Sequence, residues 1–565
     1  MKTFILSIIA SALAIAGVQA QEVLVLDGEV VPLKNVVRIT MTRHRIERGD
    51  DSFKQTLEKD PSIKLYTEAL NATGIMDTLA IWMDVNYYWV SDQNRIDSCY
   101  WTNDRLCMPV AKDANGGGGE YDNVAYPEKR YFNWTVFACP DSVLENKYGI
   151  TKVLGHGDPA SLEYLAHTIY DPMYPEDAND NDLTSRKNAL NRFISYHVLN
   201  RYGTYYTLTS MDNDRLPNNF DRRHYDIRDY YETLMPYSLM KFSFPSGSQT
   251  GLYINRRGVQ SRADEFGIYE RGTKVLNGSD FPDVQFNVTN GIYHYIDDIV
   301  TYGQKTQEVV LNENIRIDCT TLSPDFMTML TDGQVARGHS WSDGQRYSTA
   351  VNTSVAANNP NRSVGFKPGK VRNFEYGNET HMHMRNRSLW FWSYEGDEVI
   401  FKGRYDVKVK LPPVPAGTYE LRMMTCTGFA SRGIIASYID DKPVDITDYR
   451  PSGRTLFGYK SDTDLGDEEG IEAFDRIARK KGWMKGPKCY MCGDRSSFDA
   501  SATTMRNQDN PSRHVIGRFY TDGKSDHYLR LKQLMETGWS ELNFDFIELV
   551  PVSVCDNDYY PESRW

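Results

Sequence analysis

The apolar residues in the first half of the chain follow a helical period. Residues 62–79 place apolar side chains at helical intervals, which predicts a helix. Residues 158–170 show the same period, and there Asp158 can cap a helix and Pro159 suits its first turn. Amphipathic helices are therefore expected in this part of the protein.

After about residue 305 the apolar residues alternate with polar ones. Two such runs within residues 405–424 flank a turn rich in proline and glycine, and a third spans residues 540–554. Short alternating strands with frequent turns are typical of a β-sandwich or jelly roll. We therefore predict an α+β domain over residues 48–305, followed by an all-β domain over residues 306–565.

Three segments interrupt this plan. Residues 21–47 are predicted to form an extended leader. Residues 83–130 are polar and aromatic, with a glycine-rich run, and residues 211–285 are also long and irregular. We interpret the last two as insertions into the first domain.

The first twenty residues combine Lys2, an apolar run and a small-residue ending at Ala20, which is typical of a secretory signal peptide. No later stretch is long and apolar enough to span a bilayer, and no lipid anchor is visible. We therefore expect a secreted, periplasmic or cell-surface protein that is not membrane-spanning. Its net charge of -12, without a basic cluster, argues against nucleic acid as a partner.

The chain contains eight cysteines, and disulfides are expected after export. Cys99 and Cys107 flank a short polar loop and are the favoured pair. Cys489 and Cys492 form a CxxC motif, which suits half a zinc site, a redox motif or a local disulfide.

Three sequence blocks follow one another in the first domain. Residues 133–144 predict a strand that runs into a turn, where Asp141 can cap the next helix. Residues 188–208 predict a helix that ends in the pair Tyr196-His197. The third block is "NGIYHYIDDIV", from Asn290 to Val300.

These blocks, in this order, resemble the fasciclin-like domain. Residues 65–79 look like its opening helix, and residues 230–242 look like its Thr-Leu-x-Gly segment, with Pro236 in place of Gly. The matching motif positions are Thr135, Val136, Phe137, Ala138, Asp141, Tyr196, His197, Val198, Asn290, Gly291, His294, Ile296 and Asp297.

The resemblance implies a β-wedge with flanking helices, a role in extracellular adhesion or binding, and no catalysis. Tyr196 and His197 are possible partner contacts by analogy with animal relatives, although much of that block is also core. His294 lies on an alternating apolar strand, where a lone histidine is more often structural than catalytic or metal-ligating.

In the second domain, Trp390 and Trp392 share one face of a predicted strand, with Tyr394 in line. An exposed aromatic stripe can stack on a sugar, so these residues are predicted ligand-binding residues, with burial in the core as the alternative. Residues 526–554 show a short resemblance to the closing strands of galactose-binding-like modules.

Two further patterns leave metal binding open. His381 and His383 share a strand face, but no third ligand can be named. The acidic runs at residues 176–182 and 462–470 do not fit an EF-hand loop. Since neither pattern completes a site, we predict no metal and no cofactor, with metal at the histidine pair and calcium at the acidic runs as the open alternatives.

The expected function is non-enzymatic recognition of an extracellular glycan or a surface protein. No zinc-protease, P-loop or dinucleotide motif is present. The alternatives are an enzyme that acts on extracellular polysaccharide through paired carboxylates, or a structural module whose 37 tyrosines make protein contacts.

Overall fold

The structure is a computed structural model. The residues that it describes are 23–26, 29–32, 51–82, 100–102, 105–108, 124–125, 132–205, 208, 227–244, 251–256, 271–281, 284, 286–310, 313–329, 362–366, 371–377, 380–386, 397–487, 505–535 and 540–557.

The helices of this part of the chain are α1 (Phe53–Lys59), α2 (Lys64–Ala72), α3 (Ile75–Leu79), α4 (Asp141–Tyr148), α5 (Leu162–Tyr170), α6 (Ala189–Tyr196), α7 (Gln304–Val310), α8 (Cys319–Leu322), α9 (Pro324–Met329), α10 (Gly453–Phe457), α11 (Asp462–Leu465), α12 (Glu468–Lys480) and α13 (Val552–Cys555).

The strands are β1 (Val23–Leu26), β2 (Glu29–Pro32), β3 (Tyr100–Thr102), β4 (Arg105–Met108), β5 (Val124–Ala125), β6 (Trp134–Ala138), β7 (Val198–Leu199), β8 (Ile227–Glu232), β9 (Leu239–Phe244), β10 (Tyr253–Ile254), β11 (Thr273–Lys274), β12 (Asn287–Val288), β13 (Gly291–Tyr295), β14 (Ile315–Asp318), β15 (Arg362–Phe366), β16 (Phe374–Tyr376), β17 (Thr380–Asn386), β18 (Asp397–Gly403), β19 (Asp406–Lys410), β20 (Gly417–Cys426), β21 (Ile434–Ile439), β22 (Lys442–Asp448), β23 (Trp483–Lys485), β24 (Pro511–Thr521), β25 (Tyr528–Gln533), β26 (Glu541–Phe544) and β27 (Phe546–Pro551).

Two four-stranded sheets and the helices α1–α6 surround one apolar core, and we call this part the N-terminal half. One sheet has the order β12-β13-β6-β7, with β13 parallel to β6, and the other has the order β11-β10-β9-β8. A bridge between Val275 and Ile296 joins the two sheets. Their shared core extends along the chain from Phe53 to Tyr302.

The helix starts differ from the predicted ones. The predicted cap Asp158 lies outside α5, which begins at Leu162 behind Ser161, whose hydroxyl accepts from the backbone N–H of Tyr164. Asp141 does not cap its own helix either, because it is the first residue of α4. Its carboxylate instead accepts from the N–H groups of Lys64 and Leu65, and so satisfies two free donors at the start of α2.

The chain after residue 305, which we call the C-terminal half, contains a second core. This core extends from Val310 to Leu549 and also includes Tyr230 and Leu239 from the N-terminal half. Two five-stranded antiparallel sheets contribute to it, with the orders β14-β27-β20-β24-β23 and β16-β19-β25-β21-β22. The predicted alternation is confirmed in β19, where Val407 and Val409 are buried between half-exposed neighbours.

Strand β20 departs from simple alternation because it lies in the middle of its sheet, and its polar residues are buried too. Glu420 and Arg422 form an ion pair within this interior, and Arg422 also faces Glu548 on β27. Buried charges require such partners, since an isolated charge in the interior is costly.

The C-terminal half is not all-β as predicted. It also contains helices, and the acidic run 462–470 forms the starts of α11 and α12. Carboxylates suit these positions because helix N-termini present unpaired N–H groups. The protein is therefore a mixed α/β fold with several antiparallel sheets, mostly sandwich-like.

The predicted extended leader and both predicted insertions, at 83–130 and 211–285, contain strands. The predicted leader includes the hairpin β1–β2. The predicted insertion at 83–130 contributes β3, β4 and β5 to a seven-stranded sheet with the order β26-β18-β17-β15-β5-β4-β3. Since β15, β17, β18 and β26 belong to the C-terminal half, this sheet combines strands from distant parts of the chain. No helix among the described residues is long and apolar enough to cross a bilayer.

Candidate functional site

A cleft of about 560 Å³ opens between the two halves, and we call it the interdomain cleft. The N-terminal half contributes the turn after α5, the segment before α6 and the β8–β9 turn. The C-terminal half contributes the segment before β20 and the β24–β25 turn. The lining residues are Met173, Tyr174, Glu176, Asp177, Arg186, Lys187, Arg192, Pro236, Tyr237, Tyr302, Gln307, Pro415, Ala416, Asp522, Gly523 and Lys524.

Tyr174 is held in the cleft wall by its backbone and by its ring. Its N–H donates to the carbonyl of Tyr170 at 2.9 Å, which closes the turn at the end of α5. The guanidinium of Arg192 lies 3.8 Å from the centre of its ring. Burial raises the pKa of Tyr174 although the charge of Arg192 lowers it, so the phenol is neutral and its hydroxyl remains a donor.

The carboxylates of the cleft are paired with cations or backbone donors. Asp177 accepts from Arg192 at 2.6 Å, and that hydrogen bond lowers its pKa. Glu176 pairs with Lys524 at 2.7 Å across the cleft, with the same effect on its pKa. The backbone N–H of Lys524 lowers the pKa of Asp522. All three groups are therefore ionised at neutral pH and cannot serve as general acids there.

Arg186 differs from the other cations of the cleft. Its guanidinium donates to the amide oxygen of Asn191 at 3.2 Å, and it makes no ion pair within the described part of the chain. Burial lowers its pKa, although an arginine remains charged at physiological pH. A partly buried guanidinium with open donors is suited to bind a carboxylate in a bidentate manner.

Tyr237 occupies a strained backbone position at the rim of the cleft. Its φ is +56°, in the left-handed region that is costly for a bulky side chain, and its side chain is 40% exposed. Pro236 precedes it in the turn, and a hydrogen bond between the hydroxyls of Thr233 and Ser238 closes the turn. An exposed aromatic side chain is therefore fixed beside the cleft.

The two predicted partner contacts are buried in the structure. Tyr196 has no exposed surface, and its hydroxyl donates to the carbonyl of Leu239 at 2.8 Å. His197 is equally buried, with Nδ1 2.8 Å from the carbonyl of Phe193. Since neither side chain reaches the surface, both residues are structural, which corrects the prediction of direct partner contact.

His294 lies in β13 with the contacts of a structural group. Its Nε2 is 2.8 Å from the carbonyl of Gly203, and its ring stacks on Phe137. Burial lowers its pKa to about 4, against the hydrogen bond, which raises it. The imidazole is therefore neutral at physiological pH.

The other motif residues bond to backbone groups elsewhere in the N-terminal half. Thr135 donates to the carbonyl of Arg201 at 2.6 Å, and Asn290 donates to the carbonyl of Leu79 at 2.8 Å. Asp297 accepts from the N–H of Lys274. These bonds fix the ends of strands and do not form a cavity.

Several predicted residues lie outside the described residues, namely Trp390, Trp392, Tyr394, Cys99, Cys489 and Cys492. For Cys107, His381 and His383 the structure gives the strand backbone alone, in β4 and β17. Within the described residues, Cys139 and Cys555 are buried free thiols, and Cys319 and Cys426 are buried as well.

The acidic residues at 176–182 are engaged by other protein groups. Besides the pairs of Glu176 and Asp177, Asp182 accepts from the backbone and hydroxyl of Thr184. Among the described residues, the metal-ligating side chains that converge are His156, Glu163 and His167, which are not part of the cleft lining. Sequence reasoning missed this cluster and the cleft, although the i,i+4 spacing of Glu163 and His167 on a predicted helix was visible.

Comparisons with known proteins do not assign a family. No family model matches the chain, and no curated protein matches it. Among solved structures, a Paenibacillus xanthan lyase is 12% identical with a TM-score of 0.18, and the match covers 33% of this chain and 14% of the lyase. The insecticidal crystal protein Cry2Aa is 11% identical with a TM-score of 0.18, over 34% of this chain and 22% of that one.

The catalytic domain of a GH87 α-1,3-glucanase, solved with tetrasaccharides, is 11% identical with a TM-score of 0.15. That match covers 34% of this chain and 28% of the glucanase. Each of these three matches spans less than a third of the known structure, and none of them supports an inference about function.

Proposed function

We propose that this protein is a secreted or cell-envelope binding protein that holds an acidic glycan in the interdomain cleft without converting it. The observation that carries this proposal is the combination of Arg186, a cation without an ion-pair partner among the described residues, with tyrosines in one cleft. The volume of about 560 Å³ lies within the roughly 300–1,000 Å³ that is usual for small-ligand sites.

The chemistry of the lining suits a sugar that carries a carboxylate. The guanidinium of Arg186 can take the carboxylate in a bidentate hydrogen bond. The exposed ring of Tyr237 can stack on the apolar face of a sugar, while its hydroxyl and that of Tyr174 meet sugar hydroxyls.

The ion pair between Glu176 and Lys524 lies across the cleft and can open to admit a ligand. Both side chains are more than half exposed, at 52% and 60%. Exposed ion pairs contribute little stability, so this pair can open for a ligand at small cost.

Recognition is favoured over catalysis by the state of the carboxylates. A glycosidase requires one carboxyl group that stays protonated near neutral pH. The three carboxylates of the described cleft lining have lowered pKa values. The predicted signal peptide and the fasciclin-like motifs support an extracellular role, and kinship with the fasciclin-like proteins is part of this proposal.

The test measures binding of the full chain to uronate oligosaccharides and to the same oligosaccharides after carboxyl reduction. We expect binding to the first set alone. Arg186→Gln should weaken it about 10- to 100-fold, because a hydrogen bond to a charged group is lost. Tyr237→Ala should weaken it as well.

Two matched variants serve as controls. Tyr164 is 39% exposed, close to the value for Tyr237, and lies outside the cleft lining, so Tyr164→Ala should bind normally. Arg454→Gln provides the same control for an exposed arginine.

Three results would overturn the proposal. Equal binding of reduced and native sugars would show that the sugar carboxylate, and therefore its hydrogen bond to Arg186, is not needed for binding. Loss of binding in Trp390→Ala/Trp392→Ala with normal binding in Tyr237→Ala would place the site on the predicted aromatic stripe. Release of shortened or unsaturated sugars would show an enzyme.

A further inference from the structure

We propose that His156, Glu163 and His167 form a zinc-binding site in the N-terminal half. Each residue offers one ligand atom, and the three atoms lie within 4.8 Å of one another. Two imidazole nitrogens and one carboxylate oxygen form a ligand set that zinc uses in proteins, with a fourth position left for water. The site is separate from the interdomain cleft and does not depend on the proposed glycan binding.

The helix α5 supplies two of the ligands. Glu163 and His167 are four residues apart and therefore lie on the same face, one turn from each other. Ser161 caps the helix in front of them by accepting from the N–H of Tyr164 at 3.1 Å. The position of both side chains is thus fixed by regular secondary structure.

The loop before α5 supplies the third ligand. The hydroxyl of Ser161 donates to the carbonyl of Gly155 at 2.6 Å, and the N–H of Gly155 donates to Oε2 of Glu163 at 2.7 Å. These bonds hold the loop against the helix and place the ring of His156 next to that of His167. The ring centroids are 4.1 Å apart, with an angle of 79° between the planes.

Asp171 orients His167 as a metal ligand requires. The Nδ1 of His167 lies 2.9 Å from Oδ1 and 3.0 Å from Oδ2 of this carboxylate, one helical turn further along. This leaves Nε2 for a metal. Metal-bound histidines in proteins commonly have such a carboxylate on the second nitrogen, which fixes the ring and increases its basicity.

The change needed to bind the ion is small. Ligand atoms about 2.0–2.2 Å from a tetrahedral zinc ion are roughly 3.3–3.5 Å apart, so the three groups must approach one another by up to about 1.5 Å. The side chain of His167 is buried, whereas His156 is exposed and can turn toward the ion. Glu163 can use Oε1, since Oε2 accepts from Gly155.

The test titrates metal-free full-length protein with Zn²⁺ alone by calorimetry, and with Co²⁺ as a spectroscopic probe. We expect His156→Ala and His167→Ala each to remove one bound ion per chain. Asp171→Asn should retain the site but weaken zinc binding about 10- to 100-fold. Binding should also weaken in acid, because an imidazole must be neutral to coordinate.

His527 is a matched control. Its Nδ1 is also bonded to a carboxylate, 2.7 Å from Asp440, but among the described residues it belongs to no converging group of metal-ligating side chains. His527→Ala should leave the stoichiometry unchanged. The Co²⁺ spectrum separates this site from Cys489 and Cys492, because thiolate ligands add intense charge-transfer bands that nitrogen and oxygen ligands lack.

Circular dichroism shows whether each variant remains folded. Folded His156→Ala and His167→Ala proteins that still bind zinc like the wild type would overturn the proposal. A Co²⁺ spectrum with thiolate bands alone would also overturn it, because all specific binding would then belong to the cysteines.

Discussion

Lys241 and Glu313 form an ion pair between the two halves of the protein, with Nζ and Oε2 2.5 Å apart and side chains 6% and 4% exposed. The hydroxyl of Tyr230 donates to the same oxygen at 2.8 Å. Since Lys241 lies on β9 and Glu313 lies two residues before β14, the contact between the halves includes buried charge as well as apolar surface.

Replacing Glu313 by Gln should destabilise the fold by about 3–5 kcal/mol, because the ammonium of Lys241 then loses the buried carboxylate that it pairs with. The measurement is urea denaturation at neutral pH. As a control, Asp51→Asn removes the partner of Lys59, and that pair is exposed at 39% and 67%, so stability should be nearly unchanged. Equal stabilities of Glu313→Gln and the wild type would show that the buried pair does not stabilise the fold.

The buried imidazole of His294 should make the protein sensitive to mild acid. Burial lowers its pKa to about 4 in the folded state, whereas the unfolded chain has an ordinary value of about 6.5. The unfolded state therefore binds more protons between these values, and stability falls as pH decreases from about 6.5 to 4.

His294→Gln removes this proton uptake. We expect its stability to fall less than that of the wild type across the same window, by a difference of about 1–3 kcal/mol. Thermal unfolding measured at half-unit pH steps tests this. His197 has a similarly lowered pKa and is present in both proteins, so the difference isolates His294. Parallel pH curves would contradict the expectation.

Gly291 should not tolerate a side chain. A Cβ at this position would lie 2.1 Å from the carbonyl oxygen of Trp134 and 2.7 Å from the ring of Phe53. Because β13 runs parallel to β6 here, the backbone oxygen cannot move without breaking the sheet. Gly291→Ala should cost at least about 1–3 kcal/mol in urea denaturation.

Gly377 is the matched control, since a Cβ there meets no atom within 4 Å. Gly377→Ala should leave the denaturation midpoint almost unchanged. An equal effect of the two substitutions would show that the close approach of β13 and β6 is not what requires glycine in this motif.

Local patterns in the sequence predicted part of this fold. The helical spacing around Tyr66 and Leu70 corresponds to α2, and the alternation around Val407 and Val409 corresponds to β19. These features follow from the spacing of apolar residues that lie close together in the sequence.

Features that depend on distant pairing could not be predicted in the same way. Glu420 and Arg422 occur at polar positions of an alternating pattern, yet they are buried because β20 lies between two other strands. The site of Arg186 and Tyr237 depends on how the two halves approach each other. For His156, the sequence gives no sign that its loop folds back onto α5.

The strands β3, β4 and β5 have a consequence for whether the two halves can be separated. They lie within the chain segment of the N-terminal half but extend a sheet whose other strands belong to the C-terminal half. An exchange of gene segments at residue 305 would therefore separate strands that pair with each other. β15 would then lose its parallel neighbour β5, so this sheet needs both halves of the chain.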